Sequence, residues 1–369
     1  MGPDRFKTVD TLYRAARALP PERRLQFLDV ACEGDDDLRT TVQSLLANET
    51  PDSDATLLVS RQQVGMERFR TSQIIGGRFE VLDLLGSGGM GDVYEVKDVQ
   101  LSEHVALKTI RPDFASDARM VARFKQEILI AKRVTHPNVC RIYDVGFHTA
   151  EPGAGPPVLF LTMELLRGES LASRLRRGRM TTTEALPIVE QMAQGLTAAH
   201  DSGVVHRDFK CANVMLVPAH TNRRLRAVIT DFGLARSVQE SVGWETTARL
   251  TEVGEIAGTP DYMAPEQILG DNVTFAADIY ALGVVLYEMV TGELPFRADT
   301  PLATVGKRLL KPPVPPSRHV PDLDPMWERV ILRCLERDPK DRFDSAAEVA
   351  RALTGSEPAP GIYEGLWRR

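Results

Sequence analysis

Cysteine is scarce in this sequence, and long apolar runs are missing. The four cysteines, at positions 32, 140, 211 and 334, form no CxxC pair. Zinc knuckles and disulfide frameworks both need such closely spaced cysteines, so the sequence argues against both and favours a reducing compartment. The longest apolar stretch, near residues 280–287, is too short to span a bilayer, and residues 1–19 are too charged for a signal peptide. We therefore expect a cytoplasmic protein without a membrane segment.

An excess of basic charge is also missing. The chain has 45 Lys and Arg residues against 51 Asp and Glu residues, a net charge of −6. This balance argues against general binding of nucleic acid or of anionic membranes. With 43% apolar and 26% charged residues, the composition is that of an ordinary globular protein. A chain of 369 residues is expected to form more than one domain.

Hydrophobic periodicity divides the chain into successive regions. Residues 1–50 have apolar side chains at helical spacing and are predicted to be all-helical, and the polar residues 51–76 are predicted to be a linker. Alternating apolar residues then predict antiparallel strands, and later periodicity predicts helices. The result is one α+β domain over 77–354, with a small β-rich N-lobe at 77–165, a larger helical C-lobe at 166–354 and a tail at 355–369.

The stretch LLGSGGMGDVYEV, residues 84–96, contains four glycines in six positions. Glycines this dense usually bring backbone N–H groups close to phosphate oxygens. The following residues alternate as a strand, whereas a dinucleotide site needs a helix there, and no Gly-Lys-Ser/Thr follows as in a P-loop. Two interpretations stay open at this point: a hairpin that lies over the phosphates of a nucleotide, and a plain tight hairpin.

Downstream motifs decide between these two interpretations. Lys108 lies in VALK, Glu127 follows in the next predicted helix, and HRDFKCAN (206–213), DFG (231–233) and APE (264–266) come in that order. This order and spacing resemble the signature set of protein kinases, and the match covers roughly residues 78–353. The flanking segments are similar to those of bacterial eukaryotic-like (Hanks-type) serine/threonine kinases. The resemblance implies the bilobal protein kinase fold.

The resemblance also implies ATP and Mg²⁺ as cofactors, with Mn²⁺ as the alternative metal. Asp208 is implied as the catalytic base for the substrate hydroxyl, and Lys210 as a contact of the γ-phosphate. Asn213 and Asp231 are implied as metal ligands, because Mg²⁺ prefers hard oxygen atoms. The residues implied to surround ATP are the glycines of the hairpin, the walls of an apolar adenine slot, the hinge, and a lysine held by a glutamate: Gly86, Gly88, Gly91, Leu85, Val93, Ala106, Met215, Met163, Glu164, Leu166, Lys108 and Glu127.

Control and substrate class follow from the same resemblance. Arg207 precedes Asp208, as in kinases where this arginine pairs with a phosphate on the activation segment. Thr251 is the favoured phosphosite there, and Thr246 and Thr247 are the next candidates. Serine/threonine specificity is implied by Lys210 and by the threonine of GTPDYMAPE. The residues implied in structural support are Arg207, Thr259, Glu266, Asp278 and Arg342.

The expected function is therefore an ATP-dependent serine/threonine protein kinase of bacterial signal transduction that phosphorylates its own activation segment. Its expected partners are proteins with Ser or Thr acceptors, and a second copy of the chain for autophosphorylation. Two alternatives belong to other classes. A pseudokinase scaffold is disfavoured because the catalytic motifs are intact, and a small-molecule kinase of the antibiotic-phosphotransferase type is disfavoured by the APE motif.

Overall fold

The computed structural model describes residues 9, 12–13, 15–16, 21–32, 35–47, 69–88, 91–110, 118–149, 157–218, 225–232, 260–298 and 301–355. These residues form a helical unit at the N-terminal end, a lobe built on an antiparallel sheet, and a larger, mainly helical lobe. The predicted α+β, bilobal architecture is confirmed. No helix in the described part of the chain combines the length and apolar character needed to cross a membrane.

The N-terminal unit contains helical residues between 9 and 16 and two complete helices, α1 (Pro21–Ala31) and α2 (Asp36–Ala47). Proline suits the first position of α1, because the N–H that it lacks would have no helical partner there. The Asp35 carboxylate accepts a hydrogen bond from the Leu38 backbone N–H at 3.0 Å and caps the start of α2. The predicted helical character of this region is therefore seen wherever the structure describes it.

The sheet-rich lobe has six strands in the spatial order β1-β2-β3-β4-β6-β5, and every neighbouring pair is antiparallel. Alternating apolar side chains on β2, β3 and β4 build one core, which includes Val81, Tyr94, Val96 and Leu107. The elements of this lobe are β1 (Ile74–Ile75), β2 (Phe79–Gly88), β3 (Gly91–Asp98), β4 (Glu103–Ile110), α3 (Ala118–Ala131), β5 (Ile142–His148) and β6 (Val158–Met163).

Strand β1 lies inside the stretch that the sequence predicts to be a linker. Ile74 pairs with Glu80 and Ile75 with Phe79, so the sheet begins three residues before position 77. Two residues are too few to show a period of two, which explains why periodicity does not reveal this strand. Gly76 and Gly77, with φ of +57° and +68°, make the turn that returns the chain into β2.

The helical lobe packs around α7, whose side chains are buried on nearly every side. A helix that is apolar all round belongs in the middle of a core, and α7 has helices and turns of this lobe against it. The elements of the lobe are β7 (Glu169–Ser170), α4 (Leu171–Leu175), α5 (Thr182–Asp201), β8 (Val214–Pro218), β9 (Leu225–Ile229), α6 (Pro265–Leu269), α7 (Phe275–Thr291), α8 (Pro301–Leu310), α9 (Pro325–Cys334) and α10 (Ala346–Thr354), with single 3₁₀ turns at Cys211–Asn213, Pro260–Tyr262, Pro316–Arg318 and Pro339–Asp341.

Candidate active site

The glycine-rich stretch forms the end of the β2–β3 hairpin. Gly91 lies opposite Gly88 and has φ of +149°, and a Cβ added to it would lie 1.9 Å from the Thr109 carbonyl oxygen. Only glycine tolerates that approach. Gly86 and Gly88 are exposed, and a Cβ on Gly86 would meet no atom within 4 Å. The open side of the hairpin therefore leaves its backbone accessible to a ligand.

Lys108 lies at the middle of the sheet and points toward the helical lobe. It is 6% exposed, and its Nζ donates to Asp231 Oδ1 at 2.7 Å. Burial alone would raise the pKa of Asp231, but the Lys108 charge and hydrogen bond lower it below its ordinary value. The carboxylate is therefore ionised. Glu127 is half-buried on α3, and its predicted pairing with Lys108 stays a prediction for a state in which α3 has swung inward.

Three functional side chains meet on the loop between α5 and β8. Lys210 Nζ donates to Asp208 Oδ2 at 2.8 Å. Asn213 Nδ2 donates to the Asp208 carbonyl at 2.8 Å and lies 3.3 Å from its Oδ2. The 3₁₀ turn Cys211–Asn213 makes this possible, because it brings Asn213 back over Asp208. A carboxylate, an ammonium and an amide therefore converge on one spot.

The backbone of this loop is held by Asp278 of α7. The Asp278 carboxylate is buried and accepts hydrogen bonds from the His206 and Arg207 backbone N–H groups, each at 2.8 Å. Arg207 has φ of +66°, which costs a non-glycine residue about 1–2 kcal/mol. Gln267 Nε2 secures the other side by donating to the Arg207 carbonyl at 2.8 Å. Strain of this kind concentrates at functional sites.

His206 connects the loop to the segment that carries Asp231. Its ring is buried, Nε2 lies 2.9 Å from the Thr230 carbonyl oxygen, and the ring centroid is 4.6 Å from that of Phe232. Asp231 also has a positive φ of +64°. The His206 ring thus fixes the separation between the two segments that bear the acidic side chains of the site.

The residues predicted for the adenine slot are distributed over β2, β3, β4, β6, β8 and the segment that follows β6. Ala106 and Met163 lie opposite each other on β4 and β6. Ala106 is buried, whereas Leu85 is 49% exposed. The half-buried members of this set are Val93, Met163, Glu164, Leu166 and Met215. Their contact with adenine stays a prediction.

Arg226 is a residue of this region that the sequence did not reveal. It lies on β9 and forms a salt bridge with Glu164, the first residue after β6. Cys140 Sγ lies 3.8 Å from the Glu164 carbonyl oxygen on the other side. The connection between the lobes is thus tied to β9. The only sequence signal was the arginine-rich segment before Ala227, which by itself is typical of a solvated loop.

Several predicted residues lie outside the described part of the chain. Gly233 of the DFG motif is among them. The candidate phosphosites and the threonine predicted to support Asp208 are the others: Thr246, Thr247, Thr251 and Thr259. The structure takes up the chain again at residue 260, just before the APE motif.

Glu266 of that motif and Arg342 form a bidentate salt bridge. Arg342 Nη1 and Nη2 donate to the two Glu266 carboxylate oxygens at 2.7 and 2.8 Å, and the side chains are 0% and 7% exposed. Arg342 also donates to three backbone carbonyls, so its guanidinium is surrounded by acceptors. This pair joins α6 to the turn before α10.

A second buried cluster joins the Asp208 loop to the turn at 260–262. Cys211 Sγ donates to Glu288 Oε2 at 3.0 Å, and the Tyr262 hydroxyl donates to the same oxygen. Burial, and then the negative charge of Glu288, raise the pKa of the Cys211 thiol well above its usual range. No spacing or periodicity in the sequence predicts this cluster.

Cys211 is therefore expected to resist alkylation although it lies three residues from Asp208. The thiolate is the reactive species, and both burial and the neighbouring carboxylate suppress it. Native protein treated with iodoacetamide near neutral pH should show no label on Cys211 by peptide mass spectrometry, whereas denatured protein should be labelled there. Rapid labelling of Cys211 in the folded protein would contradict this placement.

The donor set of the site fits a nucleotide with a divalent cation. Asp231 is ionised, and because the Asn213 amide nitrogen faces Asp208, its carbonyl oxygen remains as a hard ligand. The described residues contain no group of three or more His, Cys, Asp or Glu side chains suited to a metal. Such a group is not needed for Mg²⁺ bound with ATP, since phosphate oxygens and waters supply the other ligands.

Comparisons with known proteins cover the same part of the chain. A family model described as "Protein kinase domain" matches residues 79–352, inside the predicted range 77–354. The structure resembles the crystal structure of the Mycobacterium tuberculosis PknI kinase domain, with a TM-score of 0.61 and 28% identity, over 79% of this chain and 100% of that one.

Two curated relatives show the same similarity in sequence. Serine/threonine-protein kinase pkn3 of Myxococcus xanthus is 38% identical over 275 residues, which are 74% of this chain and 48% of the relative. Serine/threonine-protein kinase PknB of Mycobacterium leprae is 34% identical over 280 residues, 76% of this chain and 43% of the relative. The chain thus spans less than half the length of these relatives.

Proposed function

Because the chain belongs to the protein kinase domain family, we propose that it is an ATP-dependent serine/threonine protein kinase. It transfers the γ-phosphoryl group of ATP to serine or threonine hydroxyls of proteins and serves bacterial signal transduction. The relatives named as serine/threonine-protein kinases support the substrate class. Proteins of this family use ATP and a divalent metal; we propose Mg²⁺ rather than Mn²⁺ as the metal here.

One observation carries the proposal: the Lys210 and Asn213 side chains each lie within 3.3 Å of the Asp208 carboxylate, and Asp231, the partner of Lys108, lies on the segment that His206 contacts. Phosphoryl transfer asks little covalent chemistry of a protein. It requires positive charge around the phosphates, hard oxygen atoms for the metal, and a carboxylate that orients the attacking hydroxyl. This cleft supplies all three.

The proposed roles follow from the chemistry of each group. Asp208 accepts the hydrogen bond, and then the proton, of the substrate hydroxyl, and Lys210 screens the negative charge beside it. Lys108 leaves Asp231 and binds phosphate oxygens. Asp231 and Asn213 hold the cation, which when bound neutralises the charge of the phosphates. The backbone of Gly86, Gly88 and Gly91 covers the phosphates from above.

The regulatory part of the proposal concerns residues outside the described range. We propose that the kinase phosphorylates its activation segment at Thr251, or at Thr246 or Thr247, between two copies of the chain. The phosphate would pair with Arg207, whose backbone is already fixed. We further propose that Thr259 supports Asp208 and that the enzyme acts in the cytoplasm.

Acceptor specificity tests the proposed function. Three peptides that are identical except for a single Ser, Thr or Tyr are incubated with the protein, ATP and Mg²⁺, and phosphate incorporation is measured by mass spectrometry. We expect phosphorylation of the Ser and Thr peptides and none of the Tyr peptide. Phosphorylation of the Tyr peptide alone would contradict the proposed class.

A further inference from the structure

Helix α8 is a short helix with two buried faces. It has ten residues, of which Thr304, Val305, Gly306, Arg308 and Leu309 are buried. Residues four apart lie on the same side of a helix, so Val305 and Leu309 share one face, and Thr304 and Arg308 share the neighbouring face. So short a helix depends on tertiary packing for its position. Segments that pack against the two faces are therefore coupled through the position of α8.

The N-terminal unit covers the first face. Val305 and Leu309 belong to one buried cluster with Phe27 and Leu28 of α1, and Ile268 and Leu269 of α6 pack against its edge. Gly306 faces α1 closely, because a Cβ added there would lie 3.7 Å from Ala31 Cβ. The N-terminal helices thus pack directly against the helical lobe.

The second face of α8 holds the turn that leads into the APE motif. Arg308 is 1% exposed; its Nη1 donates to the Met263 carbonyl at 3.0 Å and its Nη2 to the Asp261 carbonyl at 2.6 Å. Its guanidinium carbon lies 5.6 Å from the Phe296 ring centroid. A fork-shaped guanidinium that binds two carbonyls of one turn fixes both the position and the orientation of that turn.

Side-chain hydrogen bonds also connect this turn to the Asp208 loop. Gln267 Oε1 accepts from the Ala264 backbone N–H at 2.9 Å, and its Nε2 donates to the Arg207 carbonyl. Tyr262 adds the connection through Glu288 to Cys211. Displacement of the turn would therefore change the place where a protein acceptor must lie beside Asp208.

We propose that Arg308 is a positioning residue for the protein acceptor, and that the N-terminal helices set its position by packing on the neighbouring face of α8. The unit at residues 9–47 is then an internal brace for the 260–264 turn. The inference rests on the proposed kinase function, but its structural part, the coupling of α1 to the turn, can be measured without catalysis.

Substitution at Gly306 tests the brace in the chain of 369 residues. Gly306→Glu places a charged chain against Ala31 and should separate α1 from α8. Gly306→Ala is the matched control, since its Cβ makes an ordinary contact at 3.7 Å. In Gly306→Glu we expect faster hydrogen exchange of the amides at 261–267 and a rise of about tenfold or more in KM for a protein acceptor, because small misplacements are costly. KM for ATP should stay unchanged.

Arg308 variants test the same coupling from the other face. Arg308→Met should reproduce both effects of Gly306→Glu, and Arg308→Lys should restore part of the acceptor KM because it keeps one donor to the turn. The double variant Gly306→Glu with Arg308→Met should have an acceptor KM no higher than that of the more severe single variant, since both substitutions act through one connection. Ala31→Glu repeats the disruption from α1 in case Gly306→Glu does not fold.

Three outcomes would overturn the inference: unchanged exchange at 261–267 in both Gly306→Glu and Ala31→Glu, additive effects in the double variant, or a lower acceptor KM when the N-terminal unit is displaced. The last result would mean that the unit blocks acceptors. Hydrogen exchange at 261–267 can respond as expected while neither the wild type nor any variant phosphorylates an acceptor. In that case the coupling of α1 to the turn is supported and the proposed kinase function fails.

Discussion

Replacement of Asp208 by Asn is expected to slow phosphoryl transfer by about 10²- to 10⁴-fold, the usual contribution of a positioned acid or base. Asparagine has nearly the same shape, so the contact with Asn213 and the fold of the loop should be kept. What is lost is the negative charge that faces Lys210 at 2.8 Å and that would take the proton of the acceptor hydroxyl. Because Asp208 is not proposed to bind the nucleotide, the affinity for ATP should change little.

Single-turnover rates with saturating ATP, together with a nucleotide Kd, separate these two effects. Asp201→Asn is the matched control. Asp201 is exposed at the end of α5, and its replacement removes the same charge from the same lobe. We expect the control to keep the wild-type rate. An Asp208→Asn protein with an undiminished rate would mean that another group orients the acceptor.

Replacement of Arg342 by Leu is expected to lower the free energy of unfolding by roughly 3 to 5 kcal/mol, because it leaves the buried Glu266 carboxylate without a cation. Three backbone carbonyls would lose their donor as well. Removal of one partner of a buried ion pair lowers the free energy of unfolding more than replacement of both partners by apolar residues. The double variant Glu266→Leu with Arg342→Leu should therefore be more stable than Arg342→Leu alone.

Chemical denaturation measures these differences, and the chain offers a control pair of the same geometry. Arg177 and Glu169 are also bidentate, at 2.5 and 2.7 Å, but their side chains are 59% and 38% exposed. Solvent screens such a pair, so Arg177→Ala should leave the denaturation midpoint unchanged. An equal loss of stability in Arg177→Ala and Arg342→Leu would contradict the expectation that the buried pair stabilises the fold more than the exposed pair.

The strands, the large helices and the catalytic loop could be predicted because their signals are local. Alternation of apolar residues marks β2, β3 and β4, and the motif around Asp208 places its functional side chains within six positions. The 3₁₀ turn Cys211–Asn213 then brings Asn213 onto Asp208. The short spacing thus accounts for the closeness of these side chains, whereas their roles were implied by the resemblance to protein kinases, and the Asp278 and Gln267 contacts that hold the loop are not local.

Contacts between distant segments could not be predicted in the same way. The partner of Lys108 is Asp231, 123 positions away, and the Arg226–Glu164 pair joins β9 to the connection between the lobes. No period in the sequence reports such a pairing. The packing of α1 on α8 is hidden for the same reason, since apolar residues at helical spacing show that a helix has a buried face but not what covers it.

Incubation with ATP labelled at the γ-phosphate, and in parallel at the α-phosphate, tests the central claim most directly. The full chain is given Mg²⁺ and a generic protein acceptor, beside the Asp208→Asn variant, and the labelled residues are mapped by mass spectrometry. The account predicts γ-label on Ser and Thr residues with the wild type, none from the α-phosphate, and almost none with the variant. The account would be contradicted if no residue carried γ-label, or if the wild type and the variant gave equal labelling.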